Sequence, residues 1–253
     1  MLDFTGKTVL VTGAARGLGF AVVRAFHDAG AHVFVNDRTE AEVSRAVARL
    51  GGGERILAAP ADLSTPEGAA LAIAPALARG RLDVPINNAA VNVERPIRET
   101  DDAHWDGHLA VVLSAPFFTV KAALPLLERS LGVVLNIASE LGLHAIANNI
   151  AYVAAKHGLI AMTRAMAIEL APKHIRVNAL CPGTMDTELK RDCAAECGDP
   201  DAYYRSFRAY HPLNRLASPE EIAAFALCLV SPAASFMTGS AVAIDGGSTA
   251  GRT

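Results

Sequence analysis

Two side chains able to exchange a proton lie four residues apart near the middle of the chain. Residues 151–159 read AYVAAKHGL, and this alanine-rich run favours a helix with Tyr152 and Lys156 on one face. A free phenol titrates near pH ~10, and a close positive charge lowers its pKa. The pair is therefore a candidate general acid/base. Many solvated helix faces carry the same pair without any catalytic role.

A glycine-rich turn lies between the first apolar run and the first helix-like stretch. Residues 12–19 read TGAARGLG, which places Gly13, Gly17 and Gly19 in the pattern Gly-x-x-x-Gly-x-Gly. Such a turn lets the backbone approach a pyrophosphate, and the N–H groups of the following helix bind it. Glycines also mark ordinary turns. The position between a strand and a helix nevertheless favours a dinucleotide site.

Acidic residues end the next two predicted strands. Asp37 follows the glycines by about 20 residues, where an acidic side chain binds the adenosine ribose. Because it would repel a 2′-phosphate, it favours NAD. Arg16 and Arg38 lie where such a phosphate could be met, so NADP is the alternative, and Asp37 could also simply cap the next helix. Asp62 meets the adenine edge or caps a helix before Pro66.

Apolar runs alternate with longer stretches that have helical patterns. Strands are predicted at 7–13, 31–37, 55–62, 82–90, 133–139, 175–183 and 241–247, and helices at 18–29, 39–50, 66–79, 102–129, 152–171 and 218–230. The alternation predicts βαβ units and a parallel sheet with right-handed crossovers. We therefore expect an α/β fold, a doubly wound Rossmann-type sheet with helices on both faces, as one dinucleotide-binding domain over 1–253.

One predicted strand contains a proline. Residues 82–90 read LDVPINNAA, and Pro85 cannot donate a hydrogen bond to a neighbouring strand. We expect the strand to start after Pro85 or the ladder to be broken there.

Composition and charge limit the partners. The chain has 253 residues, of which 51% are hydrophobic, and a net charge of −3 that argues against nucleic acid or an anionic membrane. The N-terminus does not resemble a secretory signal, and the late run IAAFALCLV is too short to span a bilayer. Four cysteines lack paired metal spacing, so we expect reduced thiols and no metal. A cytoplasmic protein acting on a small molecule is the expectation.

The ordered set of motifs resembles the short-chain dehydrogenase/reductase family over nearly the whole chain. The resemblance rests on TGAARGLG, Asp37, ADL at 61–63, NNAA at 87–90, Ser139, the Tyr152/Lys156 pair, CPGTMDT at 181–187 and IDGG at 244–247. It implies an NAD(P)-dependent enzyme that interconverts a secondary alcohol and a ketone by hydride transfer. It also implies a homotetramer built through the two long central helices and the C-terminal region.

The resemblance also implies roles for individual residues. Tyr152 would be the general acid/base, Lys156 would lower its pKa and hold the nicotinamide ribose, and Ser139 would hydrogen-bond the substrate oxygen. The remaining positions would contact the cofactor, with Asn88 bracing the fourth strand and Pro182, Gly183 and Thr187 lining the nicotinamide end. The implied cofactor set is Gly13, Arg16, Gly17, Leu18, Gly19, Asp37, Asp62, Leu63, Asn88, Tyr152, Lys156, Pro182, Gly183 and Thr187.

Two positions depart from the family pattern. Ala90 stands where glycine is usual, which is a small change. Val112 stands where the family commonly has an asparagine that holds a water in a proton relay behind the lysine. Valine cannot hydrogen-bond through its side chain, so the relay is in question while the Ser/Tyr/Lys set is intact.

A substrate lid is expected at about 188–214, where the family places it. This segment contains Tyr203, Tyr204, Phe207 and Tyr210. These aromatics would suit a ring-bearing or apolar substrate, or they pack the lid onto the body or a neighbouring subunit.

Three functions compete at this point. The first is an NAD-dependent oxidoreductase acting on a secondary alcohol and its ketone. The second is an NADP-dependent 3-oxoacyl reductase, favoured by Arg16 and Arg38 and disfavoured by Asp37. The third is a cofactor-binding protein without catalysis. Val112 and Pro85 favour it, and Ser139, Tyr152 and Lys156 oppose it.

Overall fold

A seven-stranded parallel sheet carries helices on both faces in the computed structural model, which describes residues 2–251. The strands are β1 Thr8–Val11, β2 His32–Val35, β3 Ile56–Ala58, β4 Val84–Asn87, β5 Val133–Ile137, β6 Arg176–Pro182 and β7 Ala241–Ile244. The helices are α1 Gly17–Asp28, α2 Glu40–Arg49, α3 Pro66–Arg79, α4 Asp102–Leu109, α5 Ala115–Ser130, α6 Ile150–Leu170, α7 Glu188–Glu196, α8 Pro200–Arg208 and α9 Pro219–Val230. Residues 1, 252 and 253 of the predicted domain lie outside the described part.

The strand order is β3-β2-β1-β4-β5-β6-β7, and every pair of neighbours is parallel. The chain moves outward from β1 to β3 and then crosses back to β4 on the other side of β1. This reversal makes β1 and β4 the switch point of the sheet, where a crevice opens at the carboxyl ends of the strands. The predicted doubly wound fold is confirmed.

Alternate side chains of each central strand enter two different cores. Val9 and Val11 of β1 pack on the face covered by α1, α2 and α9, whereas Leu10 packs on the face covered by α3, α5 and α6. Strands alternate in this way because successive side chains point to opposite faces. Since both faces are covered, the strands read as nearly continuous apolar runs, which is why their positions were visible in the sequence.

The structure corrects the prediction for the proline-containing strand. Strand β4 starts at Val84 and includes Pro85, which lies opposite Leu10 of β1. The ladder to β5 begins only at the next residue, where Ile86 pairs with Leu135. Pro85 is therefore tolerated because the second ladder of this central strand starts after it.

The long helix predicted at 102–129 is interrupted. Residues Ala110–Ser114 form a π-helical turn between α4 and α5, with Val112 at its buried centre. By length and composition alone, Asp102–Ser130 is apolar enough to cross a bilayer, and 39% of its most apolar window is buried in this fold. Here α5 packs against α3 within the second core, and Lys173 pairs with Glu128 near the end of α5.

Candidate active site

The glycine-rich turn follows β1 and presses against the end of β4. A Cβ at Gly13 would lie 2.7 Å from Ala89 Cα, and one at Gly19 would lie 2.3 Å from the Gly13 oxygen. Gly13 and Gly17 also have φ values of +61° and +57°, which disfavour other residues. The turn is therefore specific for glycine at these positions.

Helix α1 begins at this turn without a side-chain cap. Arg16 occupies the N-cap position and makes no capping hydrogen bond, whereas Thr39, Thr65 and Asp101 cap α2, α3 and α4. The first N–H groups of α1 have no acceptor within the helix. Beside them lies Thr187, whose methyl carbon would be 3.7 Å from a Cβ at Gly17. The arrangement can receive an anion at a helix N-terminus.

Asn88 ties the glycine turn to β4. Its amide nitrogen donates to the backbone oxygens of Thr12 and Gly13 at 2.9 and 3.0 Å. The hydroxyl of Thr12 in turn accepts from the Asn88 and Ala89 N–H groups at 2.9 and 3.0 Å. Asn88 thus braces the switch point from both sides.

Asp37, which is predicted to bind the adenosine ribose, lies just after β2. Its carboxylate accepts from the N–H groups of Ala15 and Arg38 at 2.9 and 2.8 Å. Thr39, not Asp37, caps α2. The side chains of Arg16 and Arg38 form no ion pair among residues 2–251. The Asp37 carboxylate could therefore bind a ribose hydroxyl here, and Arg16 and Arg38 could bind a phosphate.

Asp62 and Leu63 lie beyond β3. Asp62 is exposed and accepts from the Ser64 N–H at 2.9 Å, while Leu63 is buried. Thr65 is the N-cap of α3. The alternative in which Asp62 caps this helix is therefore wrong.

Ser139 and Tyr152 approach one another at the carboxyl end of β5. Ser139 lies two residues past β5 and caps the 3₁₀ turn Glu140–Gly142, where its Oγ accepts from the Leu141 N–H at 3.1 Å. Tyr152 is the third residue of α6, and its phenol lies close enough to the Ser139 side chain for Ser139 to lower the pKa of the phenol. Two hydroxyl groups therefore lie together beside the switch point.

Lys156 lies one turn further along α6 and is 2% exposed. Its Nζ donates to the Ile137 carbonyl at 2.6 Å and lies 5.4 Å from the centre of the Tyr152 ring. Burial lowers the pKa of Lys156 to about 7, and the nearby Cys181 thiol opposes that shift. The ammonium is thus held at a fixed place by a backbone acceptor, in surroundings that make it a weak base.

The phenol does not have the lowered pKa that the sequence predicts. Burial raises the pKa of Tyr152 to about 12; the Ser139 hydrogen bond lowers it and the Glu140 carboxylate raises it further. In the polypeptide without a cofactor, burial affects the Tyr152 pKa more than Lys156 does. The same desolvation disfavours both the charged phenolate and the charged lysine. The lowering of the Tyr152 pKa by Lys156 together with an oxidised nicotinamide stays a prediction.

A family model described as enoyl-(acyl carrier protein) reductase matches residues 13–249, most of the chain. The chain belongs to the short-chain dehydrogenase/reductase family. It is therefore an oxidoreductase of the NAD(P)-dependent class.

Relatives of this short-chain dehydrogenase/reductase align over nearly their full length. A Bacillus subtilis oxidoreductase, YxjF, is 38% identical over 253 residues, covering 96% of this chain and 98% of that protein. Mouse L-fucose dehydrogenase is 35% identical over 250 residues, covering 98% and 90%.

Solved structures share the fold. The RhlG/NADP complex of Pseudomonas aeruginosa has a TM-score of 0.90 at 32% identity, with 98% of each chain covered. L-Sorbose reductase from Gluconobacter frateurii, complexed with NADPH and L-sorbose, has a TM-score of 0.93 at 28% identity and the same coverage.

The predicted lid of this short-chain dehydrogenase/reductase contains α7 and α8. Its aromatic rings contact one another: Tyr203 and Phe207 lie 5.0 Å apart, and Lys190 lies 3.2 Å from the centre of the Phe207 ring. The Tyr204 hydroxyl donates to Asp186 at 3.2 Å. The aromatic rings thus pack mainly within the segment 188–214, and whether they also contact a substrate, the body or a neighbouring subunit stays a prediction.

Several buried groups near the site were not predicted as functional. Glu140 follows Ser139 and is 8% exposed, and His211 is 3% exposed. Both contact residues far away in the sequence, so spacing gave no signal for them. Cys181 lies near Lys156, and burial raises the pKa of its thiol to about 11, which makes it a poor nucleophile.

Pro182 and Gly183 lie at the end of β6, where the nicotinamide contacts are expected. Pro182 is the last residue of the strand and pairs with Ile244. Gly183 is buried, and a Cβ there would lie 2.8 Å from both Asp245 Cα and His211 Cε1. The backbone past β6 thus has no room for a side chain.

Proposed function

We propose that this protein is an NAD-dependent oxidoreductase that interconverts a secondary alcohol and a ketone, with Tyr152 as general acid/base. The observation that carries the proposal is the convergence of Ser139, Tyr152 and Lys156 at the carboxyl end of the sheet. The glycine turn and Asn88 lie at the same edge. Hydride chemistry belongs to the dinucleotide, which accepts or supplies the hydride when bound.

The residues present fit a dinucleotide. The turn at Gly13 and Gly19 leaves no room for side chains, so backbone N–H groups can approach a pyrophosphate. Leu18 is buried just behind this turn, in the first turn of α1. Asp37 would accept hydrogen bonds from the adenosine ribose, with Asp62 and Leu63 beside the adenine. Pro182, Gly183 and Thr187 would bound the nicotinamide end.

The catalytic side chains would divide the work of proton transfer. Ser139 would donate a hydrogen bond to the substrate oxygen and hold it beside the phenol. Tyr152 would give its proton to a carbonyl oxygen or take one from an alcohol. Lys156 would bind the nicotinamide ribose. Because burial alone raises the pKa of Tyr152 to about 12, additional positive charge at the site must lower it for work near neutral pH.

A hydroxylated small molecule is the substrate class we propose, with sugars and polyols first. The support is that similar proteins are named L-fucose dehydrogenase and L-sorbose reductase. We assign segment 188–214 as the lid over this substrate. We also place the protein in the cytoplasm as a homotetramer.

A turnover screen tests the proposal. Purified protein would be assayed with NAD and NADP against sugars, other secondary alcohols, hydroxyacyl thioesters and hydroxysteroids. We expect Tyr152→Phe to abolish turnover of the best substrate and leave cofactor affinity unchanged, since the phenol oxygen moves a proton only. Lys156→Ala should damage both. Retention of most activity by Tyr152→Phe would disprove the catalytic assignment.

The NADP-dependent reductase is a second candidate. Arg16 and Arg38 have no ion-pair partner in the described chain, and the similar structures are complexes with NADP or NADPH. Turnover of hydroxyacyl thioesters with NADP alone would favour it.

A further inference from the structure

His211 is a buried histidine outside the Ser139/Tyr152/Lys156 set. It lies near the end of the lid segment 188–214 and is 3% exposed. Its ring lies against the chain just past β6, because a Cβ at Gly183 would come within 2.8 Å of His211 Cε1. A titratable side chain thus fills the space beside the proposed nicotinamide loop.

Both ring nitrogens of His211 are engaged by backbone groups. Nδ1 lies 2.7 Å from the carbonyl oxygen of Asp245, and Nε2 lies 3.3 Å from the N–H of Thr184. A carbonyl can only accept and an N–H can only donate. The contacts therefore assign the neutral ring with its proton on Nδ1.

The same cluster reaches the loop that carries Ser139. Glu140 is hydrogen-bonded through Oε2 to the hydroxyl of Ser248, and this oxygen lies 3.9 Å from His211 Nδ1. The carboxylate of Asp245 holds the next residue in turn, accepting from the Thr249 N–H at 2.9 Å. The C-terminal segment thus contacts the catalytic loop.

The residues just before and just after the lid are hydrogen-bonded to each other beside His211. The N–H of Asp186 donates to the Ala217 carbonyl at 2.9 Å, and the N–H of Ala217 donates to the Thr184 carbonyl at 3.1 Å. The His211 side chain adds a hydrogen bond to the Thr184 N–H, and it also binds the C-terminal segment. The His211 imidazole therefore connects Thr184, just before the lid, to Asp245, just after β7.

We propose that His211 is a positioning residue: it holds the loop Gly183–Thr187 in place through Thr184, while the Glu140–Ser248 contact holds the Ser139 loop to the same C-terminal segment. The two loops that face the reacting atoms are thereby fixed to one support. This inference rests on the proposed function for its effect on cofactor and substrate, but the contacts themselves do not depend on it.

Two substitutions test the two hydrogen bonds of the His211 ring separately. The amide nitrogen of an asparagine lies about where Nδ1 lies, so His211→Asn keeps a donor for Asp245 and loses the acceptor for Thr184. The amide oxygen of a glutamine lies about where Nε2 lies, so His211→Gln keeps the acceptor for Thr184. The same substitutions at the exposed His174 serve as controls.

The first readout is amide hydrogen exchange of segment 183–187 in the protein without added ligand. We expect His211→Asn to speed exchange about tenfold and His211→Gln to leave it near wild type, since one hydrogen bond is lost only in the first. The second readout is NAD affinity by calorimetry, which we expect to weaken about five- to tenfold in His211→Asn only. Equal effects of both substitutions, or a larger effect of His211→Gln, would overturn the proposal.

Ser248→Ala tests the other contact and guards against a failure of the histidine variants to fold. It should speed exchange of segment 139–143 and raise the substrate KM more than it lowers kcat, whereas Ser44→Ala on exposed α2 should change neither. Unchanged exchange in Ser248→Ala would contradict that contact. If the proposed function fails, no variant turns over any substrate, yet the exchange differences would remain and identify the cluster.

Discussion

At the scale of single residues, burial decides the charge state of the Tyr152/Lys156 pair. A helix rigidly fixes the phenol and the ammonium on one face, as the spacing predicted. What the spacing could not predict is that Lys156 is almost completely buried and bonded to the Ile137 carbonyl. Holding Lys156 buried beside Tyr152 therefore costs stability of the folded chain.

That cost gives a prediction about pH. The pKa of Lys156 falls from 10.5 to about 7 on folding. Between these values the unfolded chain holds the proton and the folded chain does not, so stability should rise as pH increases from 7 to 10.5. Lys156→Met removes the charge, so it should stabilise the protein most at pH 7 and progressively less toward pH 10.5.

The expected gain at neutral pH is on the order of 3–5 kcal/mol, from ~1.4 kcal/mol per unit of pKa. Urea denaturation at several pH values measures it. The exposed Lys121→Met is the matched control and should show no such pH dependence. A stabilisation by Lys156→Met that does not change with pH would contradict the lowered pKa.

Asp37 gives a second prediction at this scale. NAD(H) should bind more tightly than NADP(H), because a 2′-phosphate would meet a carboxylate that is held in place by the Ala15 and Arg38 N–H groups. The difference should be on the order of 2 kcal/mol, or about thirtyfold. Calorimetric titration with both cofactors measures it.

Asp37→Asn should reduce the preference for NAD(H) over NADP(H), because it removes the negative charge and keeps a hydrogen-bond acceptor. Arg38→Ala is the complementary variant and should weaken the binding of NADP(H) but not of NAD(H). Equal or tighter NADP(H) binding by the wild type would assign the dominant role to Arg16 and Arg38 instead.

The residues predicted for the site share short sequence patterns, and those missed do not. Ser139 and Tyr152 belong to a recognisable spacing and meet as expected. Glu140 and Ser248 are 108 residues apart, and His211 and Asp245 are 34 apart. No local pattern connects such pairs, because only the folded sheet brings their loops to one edge.

At the scale of helices and strands, most of the chain was predictable because its apolar periodicity is strong. Helix α9 begins within the predicted range, with a capping box between Ser218 and Glu221. Helices α7 and α8 of the lid were not predicted, since each has only nine residues and few of them are apolar. The π turn at Ala110–Ser114 was also missed, because one extra residue per turn does not show in an apolar run.

The π turn places Val112 at a fully buried position next to α6. If the family's relay needs an amide here, Val112→Asn should raise kcat for alcohol oxidation, most on the acid limb, where removal of the proton from Tyr152 limits the rate. A buried amide destabilises the fold unless it is hydrogen-bonded. The free energy of unfolding should therefore fall by about 1–3 kcal/mol while kcat rises. Initial rates across pH measure it.

Val111→Asn is the matched control, because it adds the same amide one residue away at a partly exposed position. It should leave the pH profile unchanged. An unchanged profile in Val112→Asn as well would show that proton transfer in this protein does not depend on the position.

At the scale of the whole molecule, two of the surfaces with exposed large apolar side chains lie on long helices. The first lies on α3 and α5, where Leu71 is 64% and Phe117 is 43% exposed. The second includes Ile168 on α6, which is 78% exposed, and Phe236 in the turn before β7. This turn lies beside α6, because a Cβ at Gly239 would be 3.4 Å from Ala167 Cβ. Exposed apolar regions of this kind mark contacts with other chains.

Two separate regions on one chain are what a tetramer with two kinds of two-fold interface requires. We expect the wild type to be a tetramer by light scattering. Phe117→Asp should remove one interface and Ile168→Asp the other, so each should give dimers and the double variant should give monomers. Leu189→Asp on the lid, which is 53% exposed, is the control and should remain a tetramer. A monomeric wild type at micromolar concentration would refute the assembly, and a tetramer in the double variant would place its interfaces elsewhere on the surface.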